Sequence, residues 1–247
     1  MKLNNFNIED DPTSDLSETP TALFSDCPLP NGEYVKEKFE KKTIFLHHTL
    51  GWHNPERVIR SWGRDSRGRV GTAFVIGGQS VKANDSKYDG SIYRAFDEDY
   101  WAFHLGTRKY NAMAEKESIG IELCSFGPLT KTDKGYVTYT GTLVDKSQVE
   151  ILDEPYKGYT AWHKYSDAQI EATVNLIQYL CDKYNIDPTN GLITRVHDLG
   201  FTKAFEFDSK VRSGNVESGI YTHGMIRTSK SDIYPCKELV KKLSELV

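Results

Sequence analysis

The chain has 247 residues, 38% of them hydrophobic, enough for one substantial core and barely enough for two. Its 31 Lys and Arg stand against 35 Asp and Glu, with a pI near 6.0, so no net positive field exists to hold a nucleic acid or an anionic membrane surface. No apolar run approaches the roughly 20 residues that span a bilayer, and the acidic, polar start is unlike a signal peptide, so the expectation is a soluble chain made in the cytoplasm without membrane insertion.

Residues 1–30 are rich in Asp, Glu, Ser, Thr and Pro and read as a flexible N-terminal arm, leaving 31–247 as a single domain. The first strong element is Thr43-Ile44-Phe45-Leu46-His47-His48-Thr49, a buried strand that ends in two histidines. Asn54-Pro55-Glu56 supplies an N-cap and a Pro at the first helical position, predicting a short helix to about Trp62. Val70–Ile76 and Ser91–Phe96 read as neighbouring strands. Ser118–Cys124 is apolar apart from Glu122, the pattern of a central strand covered on both faces.

Residues 125–165, alternating Gly, Thr, Tyr and Lys, predict a hairpin-like insertion with Tyr136 and Tyr139 on one arm. Ser166-Asp167-Ala168-Gln169 is a capping-box sequence, and Ile170, Val174, Ile177, Cys181 and Tyr184 recur at helical spacing behind it. Leu192–His197 reads as a further strand, and Glu238–Leu246 as a closing helix. Strands alternating with helices predict an α/β fold with a central mixed β-sheet flanked by α-helices.

The four cysteines, Cys27, Cys124, Cys181 and Cys236, are dispersed, which fits neither a disulfide framework nor a zinc ribbon. Among the seven histidines, His47 stands out because it ends a strand, where ligand crevices of α/β sheets lie. His223, Lys230 and Asp232 fall within nine positions, on a loop long enough to curl both end groups onto one ion. His47, His223 and Asp232 would thus give three ligands to one zinc and leave a fourth position open, the pattern of a catalytic site. Buried Glu122 has the setting of a proton shuttle, and Lys230 that of a cation aimed at a developing oxyanion. The bland alternatives are a structural carboxylate and a solvated lysine.

Four blocks in this order, Ile44–Thr49, Ala102-Phe103-His104-Leu105-Gly106, Ser118–Leu123 and Lys230-Ser231-Asp232, resemble the zinc-dependent N-acetylmuramoyl-L-alanine amidases of the amidase-2 type, the superfamily that includes peptidoglycan recognition proteins and phage lysozyme-type amidases. The resemblance covers about residues 41–246. It implies the fold of that superfamily, one zinc per chain on His47, His223 and Asp232, and Glu122 and Lys230 in catalysis. His197, which follows the long helix where the family's second histidine usually stands, is the rival ligand. It lies 35 positions before Asp232 (232 minus 197), so His223 is preferred and 198–218 reads as an insertion.

The function so implied is cleavage of the amide between N-acetylmuramic acid and the L-alanine of the peptidoglycan stem, with peptidoglycan or muropeptide as the partner and a monomeric enzyme. Trp52, Trp101, His104 and Tyr110 are the candidate substrate contacts. A phage-type endolysin reaching the wall after release is the favoured role, and a recycling amidase acting on imported muropeptides is the alternative. The rivals are a non-catalytic peptidoglycan-binding module and a cysteine hydrolase built on Cys124 or Cys181, which needs a thiol of depressed pKa.

Overall fold

The computed structural model describes residues 23–66, 69–107 and 112–246. In chain order, β1 (Ser25–Asp26) and β2 (Thr43–His48) precede α1 (Pro55–Trp62), β3 (Phe74–Ile76), β4 (Ile92–Arg94), α2 (Ala112–Lys116) and β5 (Ser118–Leu123). A β-rich segment follows with β6 (Thr130–Thr132), β7 (Gly135–Val137), β8 (Leu143–Val144), β9 (Val149–Tyr156) and β10 (Tyr159–His163). The chain closes through α3 (Asp167–Tyr184), α4 (Leu192–Leu199), α5 (Ser209–Ser213), β11 (Gly219–Thr222), α6 (His223–Ile226) and α7 (Lys237–Ser244).

Six strands form the central sheet in the order β1-β4-β3-β5-β2-β11, parallel except for the β3–β4 pair. The sheet is therefore mixed, with helices against it, as the alternation of elements predicts. The parallel strands β5, β2 and β11 lie side by side, and their apolar residues Ile44, Leu46, Ile119, Ile121 and Ile220 are all almost fully buried. In register, His47 pairs with Glu122, Phe45 with Gly120 and with Tyr221, and Thr43 with Ser118. Alternation along each strand then puts His47, Glu122, Gly120 and Ser118 on one face, with Leu46, His48, Ile121 and Leu123 on the other.

The expected α1 forms because Asn54 caps it, its side chain accepting from the Arg57 amide at 3.1 Å, while Ile59 and Trp62 are buried. Ser166 caps α3 in the same way from the Gln169 amide. The capping box is only half made, because Gln169 turns its side-chain amide to the carbonyls of Ile76 and Cys124 and so ties the helix to the sheet. Residues 125–165 form two small sheets, β6-β7-β8 and the β9–β10 hairpin. Their anchor is His163, whose ring accepts from the Phe126 amide and meets the Gln148 side chain at 3.0 Å. The 198–218 segment is held by Arg195, which donates to the carbonyls of Ala204 and Glu206 and pairs with Asp208.

Three expectations change. Leu192–Leu199 is a helix, not a strand: Leu192 and Val196 lie one turn apart against the core, and the β-branched composition gives way to that packing. The helix starts at Gly191, with φ +83°, where a Cβ would lie 2.1 Å from the Ile220 carbonyl oxygen, so its chain reaches the edge of β11 only as glycine. Residues 23–30 of the expected arm join the sheet, Cys27 and Leu29 being buried and their amides donating to the Arg94 and Ala95 carbonyls; residues 1–22 lie outside the described residues. Of the Val70–Ile76 run only Phe74–Ile76 pairs as a strand, Val70 making an isolated bridge to Phe103.

Candidate active site

The carboxyl ends of β2 and β11 lie next to each other, so His47 and His223, the residue that follows β11, meet although 176 positions separate them. Their Nδ1 atoms are 2.9 Å apart. Asp232 closes the group, its Oδ2 2.9 Å from His223 Nδ1 and 3.4 Å from His47 Nδ1. Its segment is tied to α6 by the Gly224 amide, which donates to the Asp232 carbonyl. Among the described residues these three make the group of His, Cys, Asp or Glu compact enough to hold an ion, with ligand atoms all within 4.8 Å of one another.

The chemistry of this donor set fits a metal cation. His223 Nε2 lies 3.3 Å from the Leu105 carbonyl, which can only accept, so the ring hydrogen sits there and Nδ1 offers its lone pair. Two imidazole nitrogens and a carboxylate oxygen converging in a buried pocket are mutually repulsive unless a positive centre sits among them. Burial, reinforced by repulsion from His223, pushes the His47 ring down to about 4, which leaves it neutral as a ligand must be. Burial alone would raise the Asp232 carboxyl, but positive charge at His223, and next at His47, holds it well below the usual carboxylate range, and a cation held among the three donors would act in the same direction.

Glu122 lies beside His47 across the β2–β5 ladder and opens into a cleft of about 330 Å³ lined by Thr49, Trp52, Asn54, Arg57 and Trp62. Its Oε2 is buried without a partner. Burial, with the Asp232 charge adding to it and the Lys230 charge opposing it, pushes the carboxyl up to about 8. A carboxyl in that range both takes up and releases a proton near neutral pH.

The other candidates separate. Trp52 lines the cleft and packs edge-on against Phe126 at 5.0 Å. Trp101 is buried, its backbone bridged to Val35 and its indole donating to Glu37, and it does not line the cleft beside Glu122. The half-buried His104 ring lies against His47, Nδ1 to Nε2 at 3.0 Å. Tyr110 lies outside the described residues. His197 sits on α4, 89% exposed and paired with Asp198, apart from the cluster. All four cysteines are free and buried; burial pushes Cys124 well above the thiol range and Cys181 up to about 12, which removes the thiolate a cysteine hydrolase needs.

Sequence reasoning missed Glu115. Its buried carboxylate accepts from the amides of His104, Leu105 and Thr107, fixing the loop whose Leu105 carbonyl orients His223. The only sequence signal is a carboxylate on a helix of otherwise surface character.

Residues 38–232 match the model of the N-acetylmuramoyl-L-alanine amidase family, Amidase_2, and the chain belongs to that family. It is accordingly an enzyme, a peptidoglycan amidase acting on the bond between N-acetylmuramic acid and L-alanine. Solved structures similar to it include one of PlyL, at 12% identity and a TM-score of 0.46 over 90% of this chain and 96% of that one. An AmpD structure has 15% identity and a TM-score of 0.47, covering 92% and 96%. The N-acetylmuramoyl-L-alanine amidase LysC from Clostridium intestinale URNW has 16% identity and a TM-score of 0.44, covering 92% and 99%. No curated protein sequence matches the chain. No described helix is long and apolar enough to cross a membrane.

Proposed function

We propose that the chain works as a monomeric zinc amidase, with one ion on His47, His223 and Asp232, and that its role is that of a phage-type endolysin. The observation that carries the metal assignment is the convergence of two imidazole nitrogens and one carboxylate oxygen, all from a single chain. Zinc bound there supplies Lewis acidity for the scissile carbonyl and makes water acidic enough to react near neutral pH.

The remaining roles fall to the protein. Glu122 takes the proton of the attacking water on its unpartnered Oε2 and returns it to the amine of L-alanine as the amide breaks. Lys230, whose charge already acts on Glu122, supplies positive charge to the oxygen that gains negative charge. Trp52 offers an aromatic wall to the muropeptide in the cleft beside Glu122.

The test is metal content and product release on one purified sample, before and after chelation and zinc return. One zinc per chain, with release of free stem peptide that stops on chelation and resumes with zinc, is the expected result. Release that survives stoichiometric metal removal refutes the assignment. Lysis of intact sacculi separates the endolysin role from a recycling amidase, which cleaves soluble muropeptides and leaves sacculi intact.

A further inference from the structure

The ring nitrogen of His47 turned away from the cluster has its own set of partners, and their chemistry fixes where every hydrogen lies. The Ala114 carbonyl can only accept, so the Ser118 hydroxyl, 2.5 Å away, directs its one hydrogen there. Ser118 Oγ is then an acceptor for His104 Nε2, at 2.9 Å, which must carry a hydrogen. His104 Nδ1 is left with a lone pair, and His47 Nε2, 3.0 Å from it, must be the donor. His47 Nδ1 therefore holds no hydrogen, and it is this atom that faces His223 and Asp232.

We infer that His104 and Ser118 are positioning residues: their hydrogen-bond relay, ending on the Ala114 carbonyl, locks His47 in the Nε2–H tautomer and so presents Nδ1 to the metal. This rests on the zinc reading proposed above.

Three further observations show a built arrangement. The backbone amide of His104 is held by Glu115 Oε2 at 2.9 Å, so backbone and ring are fixed by the same short stretch, Ala114, Glu115 and Ser118. The ring packs on His47 with centroids 5.1 Å apart and edge-on toward Phe45. It fits there because residue 120 is glycine: a Cβ would stand 2.9 Å from His104 Nδ1 and 2.7 Å from Thr72 Cγ2. The relay thus passes from α2 to β5, to the loop before α2, and on to β2 without a gap.

The experiment uses the full chain labelled with ¹⁵N-histidine, in metal-free and zinc-loaded forms, with long-range ¹H–¹⁵N correlation to read each ring's tautomer. A chelator competition then measures zinc affinity. In the native chain His47 and His104 are both expected as Nε2–H tautomers even without metal. Ser118→Ala should leave His47 less ordered, with His104 divided between tautomers. His104→Leu should weaken zinc by about 10–100-fold. His104→Asn, whose Oδ1 can take the place of Nδ1 as acceptor, should recover most of that loss.

An Nδ1–H tautomer at His47 in the metal-free native chain overturns the inference, as does native zinc affinity in folded His104→Leu. If His104→Leu does not fold, the Ser118→Ala spectrum decides, and unchanged ring tautomers there overturn it. A native chain that binds no zinc defeats the metal reading. The metal-free tautomer of His47 still judges the relay separately.

Discussion

Glu122 offers a test of the site that needs neither substrate nor metal. Burial and the nearby Asp232 charge place its carboxyl at about 8 in the metal-free folded chain, against 4.5 for a free glutamate. Between those values the folded state holds a proton that the unfolded state has released, so stability falls as pH rises. The contribution is fully present below 4.5 and lost as pH passes 8. With one proton at stake, the slope is up to about 1.4 kcal/mol per pH unit. Glu122→Gln replaces the protonated acid with a neutral group of the same shape and should abolish that slope. The neighbouring histidines, His47 and His48, have rings pushed down to about 4 by burial and contribute slopes of the opposite sign in both proteins, so the native-minus-variant difference isolates Glu122. Urea denaturation in chelator at half-unit steps from about pH 4.5 to about pH 8.5 gives that difference directly. Native and variant curves that run parallel across this window would refute the assignment of a buried, protonated carboxyl.

Three further results follow from where the structure puts the candidates. His223→Ala should abolish stoichiometric zinc, while His197→Ala, on an exposed turn of α4, should leave metal content unchanged; equilibrium dialysis distinguishes them, and the reverse pattern would move the ligand. Trp52→Ala should raise KM for muropeptide by about 10-fold, the scale of one lost aromatic contact, with zinc retained. Trp101→Phe should leave KM unchanged and show its effect in thermal stability, because it removes the indole bond to Glu37 and part of the buried ring away from the cleft.

Much of the site can be read from local patterns. His47 ends a run of buried β-formers, Glu122 is the one charge in an otherwise apolar strand, and His223 and Asp232 share a loop of the right length, so each is marked by its own neighbourhood. What was hidden depends on contacts across the chain. Leu192–Leu199 has strand-like composition, and only the docking of Leu192 and Val196 makes it helical. Cys27 and Leu29 lie at the end of a polar stretch, and their place in the sheet follows from pairing with residues far along the chain, Arg94 and Ala95. His104 sits in a block with two aromatic neighbours that suggests a groove. Its true partners, Ser118 and His47, are set by how β5 lies against β2.

The edge position of β11 ties the fate of the site to one small piece of the sheet. Within that sheet β11 is bonded to β2 alone, through four residue pairs, with only the Gly191–Ile220 bridge on its far side among the described residues. His223 follows it directly, and Asp232 is fastened to the same unit through Gly224. A fluctuation that peels this edge away, far short of global unfolding, would carry two of the three donors out together while His47 stays in the core. An ion held on the three donors would therefore act as a latch on the edge. The opening of that strand would become rarer in proportion to how tightly the ion is held, so the edge that carries the proposed ligands would also be the part the ion keeps closed.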